Sequence, residues 1–125
     1  MTGGAGYVGC VLVPKLLEAG YAVSVYDLML FGSSGLPSHQ NLSVIQGDLR
    51  DISHFTKSIQ GHEAVVHLAC ISNDPSFELD SVLSRSINYD CFEPMVNACR
   101  RAAVQRFIYA STSSVYGVSD APDVT

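Results

Sequence analysis

The chain has no tryptophan, only seven lysines and arginines, and charge on just 15% of its 125 residues. Twelve acids against those seven bases leave a net charge of -5. Arg100–Arg101 is the only adjacent basic pair. Without a basic cluster there is no electrostatic footprint for nucleic acid as the main partner, and the Arg pair suits the C-terminus of a helix. No apolar run approaches the roughly 20 residues of a membrane span, which argues against a membrane partner. Residues 1–9 lack the basic start and long apolar core of a signal peptide. The four cysteines, Cys10, Cys70, Cys91 and Cys99, contain no C-x-x-C pair. That disfavours a zinc ribbon or redox dithiol and leaves buried, reduced thiols in a cytoplasmic protein as the expectation, with no metal site.

What the chain does have is a hydrophobic fraction of 47%, enough for one compact α/β domain. "YVGCVLVPKLLEAG" places apolar residues at Val8, Val11, Leu12, Leu16 and Leu17 and stops at Gly20, a helix with Pro14 inside it. "YAVSVYD" alternates as a strand ending in Asp27, and residues 28–41 hold the turn formers of a loop. "LSVIQGD" is a second strand, and "DISHFTKSIQG" a short helix capped by Asp51 or Ser53 and stopped at Gly61. "EAVVHLA" is a third strand, apolar enough to be covered on both faces. Leu79–Ala103 carries a long helical pattern through Val82, Leu83, Ile87, Met95 and Ala98, with Pro94 as its expected division. "RFIYAS" is the fourth strand. Strands alternating with helices predict a parallel, doubly wound α/β sheet of Rossmann type.

The chemistry starts at "TGGAGYVG", where Gly4, Gly6 and Gly9 satisfy G-x-G-x-x-G. A pyrophosphate needs backbone N–H groups at a helix N-terminus, and a Cβ in such a loop blocks its approach. Glycine-rich turns are common, so the motif alone is weak. Asp27 strengthens it: it ends the next strand, 18 residues after Gly9, close to the ~20 at which an acid accepts from the ribose hydroxyls. A carboxylate there repels a 2′-phosphate, and residues 28–41 contain no Lys or Arg, so NAD is favoured over NADP. "GDLRD" places Asp48 and Leu49 just past a strand end, where Asp48 could accept from an adenine amino group and Leu49 pack on its face. "HLAC" puts Leu68, Ala69 and Cys70 past the neighbouring strand. His67, inside an apolar strand, reads as a satisfied core histidine.

"TGGAGYVG", "VYD", "GDLRD", "VVHLA" and "YASTSSVYG" follow the order and approximate spacing of the extended short-chain dehydrogenase/reductase family. The chain resembles its NAD-dependent nucleotide-sugar epimerases and dehydratases along its whole length. The resemblance implies that Gly3, Gly6, Tyr7 and Val8 lie along the pyrophosphate, Asp27 on the ribose, and Asp48 and Leu49 at the adenine. Leu68, Ala69 and Cys70 would border the dinucleotide, with Asn88 close by and Ser111 near the nicotinamide. Thr112 matches the catalytic Ser/Thr that hydrogen-bonds the sugar hydroxyl or ketone. Ser113 and Ser114 stand where dehydratases of the family carry an acid pair, which favours an epimerase or reductase. Tyr116 belongs to the "SVYG" turn and is not the family's catalytic tyrosine.

The family's base, the tyrosine of Y-x-x-x-K, is missing: none of the six tyrosines has a lysine four residues on. Nor do the usual apolar residues of a first strand precede the glycine loop. Residues 1–125 are therefore expected to be a partial NAD-binding domain, truncated at both ends, without turnover and with weak or no NAD affinity. A missing first strand would leave unpaired N–H and C=O groups on two interior strands, each costing about 1–3 kcal/mol. The implied partners are a nucleotide-sugar substrate and, through the long helix, a second copy in a homodimer. A non-catalytic NAD-binding module and, further off, a Rossmann-like methyltransferase are the alternatives.

Overall fold

The computed structural model describes residues 1–71 and 80–111. Its elements run α1 (Tyr7–Glu18), β1 (Val23–Asp27), β2 (Leu42–Gln46), α2 (Ile52–Ser58), β3 (Ala64–His67), α3 (Ser81–Arg85), a π-helical turn (Ser86–Asp90), α4 (Phe92–Arg101) and β4 (Arg106–Tyr109). β1 pairs in parallel with β2, from Val23 opposite Leu42 to Asp27 opposite Gln46. β3 pairs in parallel with β4, from Ala64 opposite Arg106 to His67 opposite Tyr109.

The two pairs are joined by the first three residues. Thr2 bridges Tyr26 on one side and His67 on the other, both in parallel. Five main-chain hydrogen bonds carry the join: the Met1 amino group to Ser24 O (2.6 Å), Thr2 N–H to Val66 O (2.9 Å), Leu68 N–H to Thr2 O (3.1 Å), Tyr26 N–H to Met1 O (2.8 Å) and Gly3 N–H to Tyr26 O (3.0 Å). The order is thus β2–β1–Thr2–β3–β4. The sequence predicts two interior strands with an unpaired edge, whereas Met1–Gly3 satisfy that edge at its carboxyl end. Two residues carry no periodicity by which a strand could be recognised.

Strand alternation sorts the core into two layers. Val23 and Val25 point to α1 and pack with Val13 and Leu17. Tyr26 and Val65 point the other way, into a cluster with Phe55, Ile59, Cys91, Met95, Ala98 and Cys99 from α2 and α4. The face of α1 differs from the predicted stripe. Val8 and Val11 are exposed, and Gly9, Val13 and Leu17 are buried, because the helix meets the glycine loop through Gly9 and β1 through Val13 and Leu17. β3 is fully covered on the face of Val65 and His67 and partly on the other, where Val66 is half-buried and Ala64 exposed.

Asp51 caps α2, its carboxylate accepting from His54 N–H at 3.0 Å. Asp80 caps α3 in the same way through Leu83 N–H. The predicted long helix is interrupted by the π-helical turn at Ser86–Asp90, ahead of Pro94, which lies inside α4. The tertiary partner of that turn is explicit. Asn88 Oδ1 accepts from Ile71 N–H at 2.8 Å, and its Nδ2 donates to Ile71 O at 2.9 Å. No helix among the described residues is long and apolar enough to cross a membrane.

Candidate functional site

A cleft of about 370 Å³ opens at the carboxyl ends of the parallel strands, where ligands of open α/β sheets bind. Its lining comes from the glycine loop (Gly3, Ala5, Gly6), the end of β1 and the loop after it (Asp27, Leu28, Leu30, Phe31), the end of β2 (Gly47, Asp48, Leu49, Arg50), the end of β3 (Leu68, Ala69, Cys70, Ile71), and Leu83 and Ile87.

Glycine is required in the loop for two separate reasons. Gly3 sits at φ +68°, and a Cβ there would lie 2.6 Å from Ala69 N, closing the cleft floor. At Gly9 a Cβ would strike the backbone of Gly4, which would push α1 off the loop. The loop leads into α1 with Gly6 N–H on Gly3 O (3.2 Å) and Cys10 N–H on Gly6 O (2.9 Å). Tyr7 and Val8 open the helix, so their amides have no intrahelical acceptor, while their side chains point to solvent. This is a backbone cradle for an anion, with the helix dipole adding to it.

Asp27 faces the cradle from the end of β1. Its Oδ2 accepts from Ala5 N–H at 3.0 Å and its Oδ1 from Met29 N–H at 2.9 Å. Met29 adopts φ +59°, a conformation L-residues visit at a cost of ~1 kcal/mol. The carboxylate thereby fixes the turn that projects Leu30 and Phe31, both strongly exposed, over the cleft.

Asp48 follows β2. Its backbone carbonyl accepts from the Tyr26 hydroxyl at 2.9 Å, and burial pushes that phenol up to about 12, with Asp51 and Asp48 adding to the effect. Its carboxylate is paired with Arg50, whose hydrogen bonds hold it below the usual carboxylate range. Leu49 is buried beside Tyr26 and Phe55 yet reaches the cleft wall.

Of the residues singled out in the sequence, Gly3, Gly6, Asp27, Asp48, Leu49, Leu68, Ala69 and Cys70 line this one cleft. Tyr7 and Val8 open α1 next to this lining without forming part of it, their side chains exposed. Asn88 stands behind the cleft wall without lining it itself. Both polar ends of its amide are committed to Ile71, and it is Ile71 that lines the cleft. Ser111 is exposed at the edge of the described residues, and Thr112, Ser113, Ser114 and Tyr116 lie outside them. The cysteines also depart from the expectation of uniform burial: Cys91 and Cys99 are buried, Cys10 is partly so, and Cys70 is exposed at the cleft. All four are free. His67 is a core histidine, 3% exposed, sharing a 2.6 Å hydrogen bond with Thr2 Oγ1 and stacked on Tyr109. Arg50, Leu30, Phe31, Ile71, Leu83 and Ile87 also line the cleft, although no motif in the sequence assigns them to a site. For Arg50 a signal existed in "GDLRD", since an Asp-x-Arg turn lets the guanidinium fold back on the acid.

A glycine cradle at the start of α1, an acid at the end of β1 and parallel strands ordered about a central stub define a Rossmann-type dinucleotide-binding protein. The chain belongs to the NAD dependent epimerase/dehydratase family, whose model matches residues 1–125. It is 37% identical over 119 residues to a 3 beta-hydroxysteroid dehydrogenase/Delta 5-->4-isomerase of Mycobacterium tuberculosis, covering 92% of this chain and 31% of the relative. It is 32% identical over 121 residues to a UDP-glucose 4-epimerase of Streptomyces lividans, covering 94% of this chain and 36% of the relative. The structure of the Thermus thermophilus UDP-glucose 4-epimerase in complex with NAD superposes with a TM-score of 0.87 at 28% identity, over 98% of this chain and 40% of that one. The chain thus spans about a third of the length of these curated relatives.

Proposed function

We propose that residues 1–125 form the partial NAD-binding domain of a cytoplasmic enzyme that moves hydride between a substrate carbinol carbon and nicotinamide. The observation that carries this is the Asp27 carboxylate, fixed by two amides, one of them Ala5 of the glycine cradle itself. In this reading the pyrophosphate rests on the backbone of Gly3, Gly6, Tyr7 and Val8. Asp27 accepts from the ribose hydroxyls, Asp48 and Leu49 hold the adenine, and Leu68, Ala69 and Cys70 border the dinucleotide. The fit rests on the cradle itself, where the positive φ of Gly3 and its close approach to the Ala69 backbone admit no side chain. The bound dinucleotide supplies the hydride acceptor. NAD is preferred to NADP because Asp27 repels a 2′-phosphate. Ser111 would approach the nicotinamide and Thr112 would be catalytic, its hydroxyl bonded to the reacting substrate oxygen.

The substrate in this reading is a nucleotide sugar, in keeping with the S. lividans and T. thermophilus epimerases, and the intact protein is a homodimer. A second reading, a 3β-hydroxysteroid substrate, is favoured by the M. tuberculosis relative at 37% identity. The test is titration calorimetry of the intact protein with NAD and NADP, followed by NADH absorbance with UDP-glucose or a 3β-hydroxysteroid. Binding of NAD over NADP is expected, with a response to UDP-glucose. Failure to bind NAD would overturn the proposal, and a response to the steroid alone would select the second reading.

A further inference from the structure

Strand alternation commits Val25 to the face of β1 that meets α1, so the next residue, Tyr26, points into the opposite layer. Packing there asks only for an apolar ring, and Tyr26 supplies one, 4% exposed, with Phe55 edge-on at 5.6 Å and His54 at 5.4 Å. The hydroxyl is the part that packing does not require. It donates to Asp48 O at 2.9 Å, whereas His54 Nδ1, at 3.5 Å, is the longer and weaker contact. Asp51 N–H donates to the same carbonyl at 3.0 Å, so Asp48 O keeps a partner without the phenol. The hydroxyl is therefore not there to satisfy an otherwise orphaned carbonyl. Gly47 lies directly on the ring, where a Cβ would strike Cζ and the hydroxyl oxygen. At the backbone end of the same residue, Gly3 N–H donates to Tyr26 O at 3.0 Å. Gly3, Tyr26, Gly47 and Asp48 all line the cleft.

We infer that Tyr26 is a positioning residue of the cleft: its carbonyl holds the glycine cradle, its hydroxyl holds the turn after β2, and the rigid ring between them sets their separation. This rests on the dinucleotide reading proposed above, in which one ligand touches both the cradle and the turn. Burial, with Asp51 and Asp48 adding to it, raises the phenol to about 12, so it remains a donor at neutral pH. Without the hydroxyl the ligand itself would have to immobilise the turn, which weakens binding.

The experiment is calorimetry on the intact protein with NAD, ADP and nicotinamide mononucleotide. Tyr26→Phe keeps the ring and removes only the hydroxyl. NAD and ADP should both bind about 3- to 10-fold more weakly, the worth of one neutral hydrogen bond. Gly47→Ala presses the turn off the ring from the other side and should weaken the same two ligands with the hydroxyl in place. In the double variant the two losses should not add, since both act through one contact. The mononucleotide, which lacks the adenosine half, should bind all of these proteins alike, whereas a general loosening of the fold would weaken it too. Either single variant is sufficient should the other fail to fold. Unchanged NAD affinity in Tyr26→Phe, additive losses, or equal weakening of the mononucleotide would overturn the inference alone. If the wild type binds no NAD, the dinucleotide reading falls and this inference with it.

Discussion

The amide of Ala5 donates to Oδ2 of Asp27 at 3.0 Å, tying the glycine loop to the strand that follows it in sequence. The acid that is to hold a ribose is also the brace of the phosphate cradle. Asp27→Ala removes both acceptors, leaving Ala5 and Met29 amides without partners. NAD affinity is expected to fall at least ~10-fold. Calorimetry reads this directly, and an unchanged affinity would separate Asp27 from the site.

Gly9→Ala places a methyl group against the Gly4 backbone at the closest approach of α1 to the loop. Neither side can yield, since Gly4 is itself buried against the Val25 side chain. Destabilisation of about 2–3 kcal/mol is expected, the upper part of the range for overpacking. A shift in the urea midpoint without change in slope would show it.

Phe55 is fully buried between Tyr26, at 5.6 Å in an edge-to-face arrangement, and the α4 cluster. Phe55→Ala should cost about 3–5 kcal/mol by loss of transfer energy and a residual cavity. This is large against a typical total of ~5–15 kcal/mol. Chemical denaturation is the measurement, and a loss below ~1 kcal/mol would mean the layer collapses around the site.

Burial lowers His67 to about 4 from an ordinary 6.5. The unfolded chain therefore binds a proton between these values that the folded chain refuses. Stability from this residue is complete above pH 6.5 and is lost as pH falls toward 4, by on the order of 2–3 kcal/mol. Urea titrations of wild type and His67→Gln across that window should show a flatter profile in the variant. Parallel profiles would mean the ring titrates normally.

Much of the fold could be read before any coordinates. Gly20 and Gly61, both at positive φ, follow the ends of α1 and α2, as their place after each helical pattern predicts. The alternation in "VSVY" sorts β1 into its two layers. What escaped the reading has physical reasons. In α1 the apolar residues outnumber the buried ones, so two helical faces fit the same letters. Only the close approach at Gly9 decides between them. The π-helical turn is set by Asn88 reaching Ile71, a contact 17 positions away that no local propensity encodes. In the site, residue type and spacing pick out the strand-end acids and, through the Asp-x-Arg turn, hint at Arg50, whereas the amides of Ala5 and Met29 that hold Asp27 emerge only from geometry.

The seam at Thr2 has a consequence for how the molecule comes apart. One wall of the cleft, with Asp27 and Asp48, hangs on β1 and β2, and the other, with Leu68, Ala69 and Cys70, on β3. Five hydrogen bonds from three residues stitch the walls together along the backbone. A ligand lying across both walls would act as a second stitch. Its affinity and the cohesion of the two half-sheets then become one linked equilibrium, visible as slowed exchange of the Thr2, Gly3, Tyr26 and Leu68 amides on binding.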